Sequence, residues 1–340
     1  MRALSKGCYN KIFSTARKGE VMAHNTLVTL KSGLHIPEFG IGTSAFGGLF
    51  AAVSESAVAD VISTSMQMDL NYFDTAPHYG MGSAEVRLGR HINHLPRSSF
   101  IVSTKVGRLI VPSKKTEDPG WENSTAAVER IFDFSASGIE RSLRESLERL
   151  QMESVEMVFI HDPDGAADQA INEAYPVLEK LRSQGVVKAI GVGITSNEIP
   201  TRFINETDID VVLIALRYTL LDQSAATDLL PAALKKGVSV IAGGVFNSGI
   251  LTSPKAGATF NYEPASPEVL ACAQKIEKFF RDRGVSLTQA ALQYPMQHPA
   301  ISAILVGCRS AVEVTSNIAL YNNKIDSQIW SEFDSFLKGF

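Results

Sequence analysis

Asp74, Tyr79, Lys105 and His161 are the residues of this chain whose types and placement could do chemistry. Asp74 ends the apolar segment that starts at Tyr72, and Tyr79 follows it by five residues. Lys105 ends the segment Phe100–Lys105, and His161 closes the segment that starts at Met157. A carboxylate and an ammonium on neighbouring buried strands must pair, because an unpaired charge there is costly. Such a pair can also be purely structural. A phenol beside that ammonium has its anion stabilised, so its pKa is expected to fall from about 10 towards the range of a working proton donor. Tyr79 then serves as general acid and base, and His161 can hydrogen-bond a carbonyl or alcohol oxygen.

These side chains meet only if their segments are parallel strands opening on one mouth. Leu27–Leu30 and Leu34–Ile36 read as a hairpin with Gly33 at the turn. Phe39–Ile41 is the first barrel strand, and Ser54 caps a helix with Val58, Val61, Ile62 and Met66 at helical spacing. Tyr72–Thr75, a helix capped by Ser83, Phe100–Lys105 and a helix from about Ser137 follow. Met157–Ile160, Ala189–Val192, Val211–Leu216, Val238–Ala242 and Ala303–Val306 are further strands, each followed by at least one helix. Near-continuous apolar strands imply burial on both faces, the pattern of a parallel sheet. Eight such units without a linker predict a single (β/α)8 TIM barrel with an N-terminal β-hairpin cap. A doubly wound sheet is disfavoured because Gly40-Ile41-Gly42 runs on as Thr43-Ser44-Ala45, with no dinucleotide fingerprint. Residues 106–136 read as the longest loop, polar and turn-rich, on the face where the mouth opens.

The 32 Lys and Arg against 36 Asp and Glu give a net charge of −4, which excludes a general nucleic-acid binder. No apolar run reaches membrane-spanning length. Cys8, Cys272 and Cys308 are too few and scattered for a disulfide framework, which suggests a reducing, cytoplasmic setting. Residues 1–22 are basic, with Arg2, Lys6, Lys11, Arg17 and Lys18 against Glu20. They read as a disordered tail, with an organelle transit peptide as the alternative. The barrel is expected to occupy residues 23–340.

Asn71-Tyr72-Phe73-Asp74-Thr75-Ala76-Pro77-His78-Tyr79-Gly80, followed by Ser83-Ala84-Glu85-Val86-Arg87-Leu88-Gly89, resembles the signature of the aldo-keto reductases. Ser103-Thr104-Lys105-Val106-Gly107 and Ile160-His161 fall where that family has its catalytic Lys and His. The resemblance runs from about Thr26 to Asn317 and covers Asp74, Tyr79, Lys105 and His161. Phe159–Asp164, Arg217–Leu221 and Phe246–Leu251 are similar to the branch of aldose (D-threo-aldose or L-fucose) 1-dehydrogenases and pyridoxal 4-dehydrogenase.

The resemblance implies a nicotinamide dinucleotide laid across the mouth. Its contacts would be Gly42, Thr43 and Asp74, then Thr195, then Phe246, Asn247, Ser248, Gly249 and Leu251, and finally Gly307, Arg309, Glu313 and Asn317. The family's paired Ser-Asn after strand five is replaced by Gly193-Ile194, with Thr195 and Ser196 close by. Gly243 stands where many members carry an aromatic ring, for which Phe246 is the nearby substitute. Two positions that are basic in NADP-using members fall on Gly307 and Glu313, which favours NAD over NADP. The implied substrate is a sugar or pyridoxal-like small molecule, with no nucleic acid or membrane, and a monomer or weak homo-oligomer is expected. A metal hydrolase built on His78 and His161-Asp162-Pro163-Asp164 is the rival enzyme, against which Asp162-Pro163-Asp164 reads as an ordinary turn. A cofactor-binding regulatory subunit is the non-enzymatic alternative.

Overall fold

The computed structural model describes residues 26–113, 121–123 and 128–339. The basic segment 1–22 and the Lys114-Lys115 turn region lie outside the described residues. The described chain opens with a hairpin of β1 (Leu27–Thr29) and β2 (His35–Pro37), paired antiparallel. Gly33 sits in its turn at φ +83°, a conformation that L side chains rarely adopt.

The strands β3 (Phe39–Gly42), β4 (Tyr72–Asp74) and β5 (Ile101–Val106) begin the barrel. A second hairpin, β6 (Arg108–Pro112) with β7 (Val128–Phe132), interrupts it before β8 (Met157–His161). Then come β9 (Ala189–Ile194), β10 (Val211–Ala215) and β11 (Ser239–Gly243). The short hairpin β12 (Thr259–Phe260) and β13 (Glu263–Pro264) precedes the last barrel strand, β14 (Ile301–Gly307). Strands β3, β4, β5, β8, β9, β10, β11 and β14 close into one barrel, each parallel to its neighbours. The barrel expectation therefore holds.

Side chains alternate in and out along each strand, which separates two cores. Phe73, Val102, Val158 and Ile160 point outward and pack with Leu88, Ile139, Leu143 and Leu178 of the surrounding helices. Tyr72, Met157, Phe159, Val211, Leu213, Ile241 and Leu305 fill the lumen, and Leu30 and Ile36 of the first hairpin pack with them. The hairpin thus plugs the barrel end opposite the mouth. The same alternation continues upward from Tyr72 to Asp74, from Ser103 to Lys105 and from Phe159 to His161. A period of two delivers three polar side chains to the top of an otherwise apolar lumen.

Two local expectations change. Residues 106–136 are not simply a loop, because Leu109-Ile110-Val111 and Val128–Phe132 pair as strands. Their Val and Ile residues favour extended, paired backbone. Ser83 is not an N-cap: it is the first residue of the helix Ser83–Ile92, whose N-cap is left-handed Gly82, and its hydroxyl is buried without a hydrogen-bond partner among the described residues. Ser54 caps its helix as expected, accepting from the Ala57 N–H at 3.1 Å. The helical segment after β8 departs slightly from its expected form, since Ala170–Ala174 is a π-helical turn leading into Tyr175–Ser183.

Candidate active site

Lys105 is 1% exposed, and its ammonium donates in three directions. Nζ lies 2.6 Å from Asp74 Oδ2, 2.9 Å from the Thr75 carbonyl and 3.0 Å from the Tyr79 hydroxyl. The other Asp74 oxygen accepts from the Ser103 hydroxyl at 2.7 Å, and Ser103 meets the Tyr72 hydroxyl at 3.1 Å. Behind β5, the Thr104 hydroxyl donates to Glu85 at 2.6 Å, and Arg149 holds the other Glu85 oxygen at 2.6 Å. Arg87 donates to the Phe46 and Val53 carbonyls, at 2.6 Å each, and ties the loop after β3 to the helix that follows Tyr79. Lys105 and Asp74 are therefore held from neighbouring strands, and the elements behind them are tied together by buried charged side chains.

Tyr79 and His161 share the mouth, with ring centroids 6.2 Å apart and planes at 89°. Burial pushes the Tyr79 phenol above the ordinary tyrosine value, although Lys105 pulls it down. This corrects the expected fall in its pKa. The ammonium is where the sequence puts it, but the cost of burying a phenolate outweighs its attraction. Burial also pulls on the Lys105 ammonium, but Asp74 and then Tyr79 hold its pKa above the usual lysine range. Burial, then Arg108 and Lys105, push His161 well below the usual histidine value, so it stays neutral. His78 lies at about 2 through burial and the same kind of cationic surroundings. The set can donate and accept a proton at one oxygen through Tyr79, with neutral His161 beside it.

The other half of the mouth has a different top layer. Gly42, Gly243 and Gly307 end β3, β11 and β14 on the lumen side, Gly193 is the penultimate residue of β9, and Ala215 lies between Gly193 and Gly243. A Cβ added at any of these glycines would meet nothing closer than 3.4 Å. Their small size is therefore not demanded by protein packing, and it leaves room for a flat ligand. The buried Thr43 hydroxyl, the Ser196 hydroxyl and the side-chain Oδ1 of Asn197 have no hydrogen-bond partner among the described residues. These orphaned groups and the open layer fit a nicotinamide dinucleotide. Ser196 and Asn197 stand directly after Thr195, whose backbone carbonyl accepts from Arg217 at 2.6 Å.

The remaining expected contacts are placed unevenly. Phe246 is half-buried at the edge of the core, and Gly249 follows the left-handed pair Asn247 and Ser248. Asn247 is wholly buried, accepting from the Thr219 hydroxyl and donating to the Leu216 carbonyl at 3.3 Å. The Ser248 hydroxyl accepts from the Tyr262 N–H at 2.8 Å, and Leu251 is packed in the core. These three side chains each take part in holding the loop's own conformation. Glu313 accepts from the Arg309 guanidinium at 3.0 Å and from its backbone N–H at 2.9 Å. The Ser310 hydroxyl caps the same helix, Ala311–Asn322, and Asn317 is nearly buried against Cys308. Sequence reasoning missed Arg108, Trp121 and Tyr262, which also line the mouth. Tyr262 stacks on Phe50 with centroids 6.3 Å apart, and the Trp121 ring lies 5.8 Å from Tyr79. No group of three or more His, Cys, Asp or Glu is arranged to hold a metal ion among the described residues.

The aldo/keto reductase family profile matches residues 38–338. The chain belongs to the aldo-keto reductase family. It is 36% identical over 309 residues to D-threo-aldose 1-dehydrogenase of Pseudomonas sp, covering 88% of this chain and 94% of that protein. It is 32% identical over 327 residues to pyridoxal 4-dehydrogenase of Microbacterium luteolum, covering 90% and 95%. L-galactose dehydrogenase of Arabidopsis thaliana is 32% identical over 317 residues, covering 90% and 92%. The solved glycerol dehydrogenase of Gluconobacter oxydans shares the fold, with a TM-score of 0.74 at 24% identity over 92% of this chain and 94% of that one. This aldo-keto reductase is an NAD(P)-dependent oxidoreductase. No helix among its described residues is long and apolar enough to cross a membrane.

Proposed function

We propose that this aldo-keto reductase oxidises the C1 hydroxyl of an aldose of the D-threo-aldose or L-fucose type to a lactone, with NAD preferred over NADP. The observation that carries the reading is the Lys105 ammonium joining Asp74 to the Tyr79 hydroxyl, with the His161 ring facing that phenol across the mouth. Bound nicotinamide supplies the hydride acceptor for C1. Tyr79, once it has released its own proton, takes the proton from the C1 hydroxyl. Lys105 stabilises the phenolate that this requires, and Asp74 keeps the ammonium charged and aimed. Neutral His161 hydrogen-bonds the reacting oxygen and fixes its distance from Tyr79. Thr43, Ser196 and Asn197 are the groups that would hold the dinucleotide, over the glycine layer.

The aldose reading draws on relatives named for sugar dehydrogenation at 36% and 32% identity. A second reading, oxidation of pyridoxal, draws on the 32% relative named for it. The test is a panel of aldoses and pyridoxal, each with NAD and NADP separately. Lactone formation from an aldose with NAD is the expected result. Turnover of pyridoxal alone moves the substrate to the second reading, and failure of every alcohol overturns both.

A further inference from the structure

The mouth carries an ion pair that proton transfer does not require. Arg108 opens β6, directly after Gly107 at φ +97°, where an added Cβ would strike the Phe134 ring at 2.3 Å. Its guanidinium donates to Asp162 Oδ2 and lies 4.9 Å from the centre of the Phe132 ring. Asp162 follows His161 in left-handed backbone, φ 44°, and its N–H donates to the Gly193 carbonyl at 2.9 Å. Its carboxylate lies 3.5 Å from His161 Nε2.

Three features set this pair apart from a structural salt bridge. The Arg108 side chain is only 9% exposed, and a buried ion pair adds little stability over apolar groups of equal size. Arg108 Nε is buried without a partner among the described residues, and so is His78 Nδ1 on the neighbouring wall. Such orphaned donors and acceptors are costly unless something else meets them. Asp162 holds a sparsely populated backbone conformation beside the reactive histidine, a kind of strain that clusters at functional sites.

The pair is also chemically specific. Asp162 pairs with Arg108, and Asp164 and Arg130 stand near the same guanidinium, so the wall presents both signs of charge rather than a bare cation. It offers a carboxylate acceptor and guanidinium donors side by side, a combination that matches two adjacent hydroxyls. The Trp121 ring, edge-on to His78 with centroids 5.1 Å apart, adds a flat apolar surface to the same mouth.

We propose that Arg108 and Asp162 read neighbouring hydroxyls of the substrate. Asp162 accepts a hydrogen bond from one hydroxyl while Arg108 donates to the next. The pair thereby selects polyhydroxylated substrates over aldehydes that lack hydroxyls, since a site built to hydrogen-bond a hydroxyl discriminates against analogues without one. This assignment rests on the sugar-dehydrogenase reading above.

The test compares Asp162→Asn and Arg108→Gln with the parent. Asn tolerates the left-handed backbone at 162, and the Arg108 variant provides an independent measurement if Asp162→Asn does not fold. Both are assayed for aldose oxidation with NAD and for reduction of a short unsubstituted aldehyde with NADH. The expected result is at least a tenfold fall in the ratio of aldose to aldehyde kcat/KM, carried mainly by a higher KM for the aldose. Equal losses on both substrates overturn the proposal and leave the pair as support for His161. An unchanged ratio overturns it too. A parent that reduces the aldehyde but oxidises no aldose removes the sugar reading itself. A parent that oxidises aldoses while its variants keep the ratio removes only this inference.

Discussion

The Lys105 ammonium reaches Tyr79 at two places, 3.0 Å from the hydroxyl and 4.6 Å from the centre of the ring. The first contact stabilises the phenolate, and the second places a cation against the ring face. Burial nevertheless keeps the phenol above its ordinary pKa. The resting site therefore holds an acid ready to protonate a carbonyl oxygen, and oxidation of an alcohol must draw on the minor phenolate form.

Tyr79→Phe keeps the ring and removes only the hydroxyl. Turnover is expected to fall by about 10²–10⁴-fold, the usual worth of a positioned general acid–base. The dinucleotide affinity, read by fluorescence titration, should stay close to that of the parent, since the glycine layer and Thr43 lie on other strands. Parent-like turnover would remove Tyr79 from the chemistry.

Lys105→Met leaves the Asp74 carboxylate buried and unpaired, which costs about 3–5 kcal/mol when one partner of a buried pair is lost. The double variant Asp74→Asn with Lys105→Met removes both charges. It should regain most of the melting temperature lost by Lys105→Met while turnover stays low. Recovery of turnover together with stability would make the pair a purely structural ion pair.

The pH dependence follows from the directions of the shifts. Oxidation needs deprotonated Tyr79, whose pKa lies above 10, so kcat/KM for the alcohol should climb from neutral pH towards 10. Reduction needs the protonated phenol and should stay flat from about pH 6 to 9. His161 and His78 are pushed below the usual histidine value, so neither contributes a limb near pH 6.5. Profiles in both directions decide the matter. A clear ionisation at 6.5 would assign the controlling proton to a histidine.

Much of this site was legible because strands alternate strictly. Asp74, Lys105 and His161 end apolar segments, and a period of two carries them to the same face of the barrel as Tyr72, Ser103 and Phe159. The same rule applied at Ser103 would have found the second partner of Asp74. What could not be read was depth. The neighbour of Tyr79 was evident, but the burial that outweighs Lys105 depends on Trp121 and on loops far apart in sequence. The loop residues Asn247, Ser248 and Leu251 have side chains suited to ligand contact, yet the turn they form uses them internally. Arg108 was hidden in a stretch whose polar middle masked the flanking strands. Arg309 and Glu313 were read as separate influences, although a spacing of four at a helix start favours their pairing.

That last pair shapes the cofactor preference. Glu313 occupies a position that is basic in NADP-using relatives by the resemblance, and it holds the Arg309 guanidinium at 3.0 Å. A 2′-phosphate over this loop would meet the carboxylate directly. It would also find Arg309, the nearest cation of that loop, already engaged. Bringing a phosphate dianion near Glu313 costs about 1 kcal/mol or more at an effective dielectric near 20. Since each 1.4 kcal/mol is tenfold, NAD is expected to be preferred by about one order of magnitude in kcat/KM. Glu313→Gln releases Arg309 and removes the repulsion, so it should raise kcat/KM for NADP several-fold and leave that for NAD nearly unchanged. Glu313→Arg adds a second cation and should narrow the preference further or reverse it. Turnover at saturating cofactor should not move in either variant, because the loop after β14 is remote from Tyr79. Steady-state kinetics with both dinucleotides checks the series. A parent that uses NADP more efficiently than NAD would mean that the ribose does not lie over Glu313.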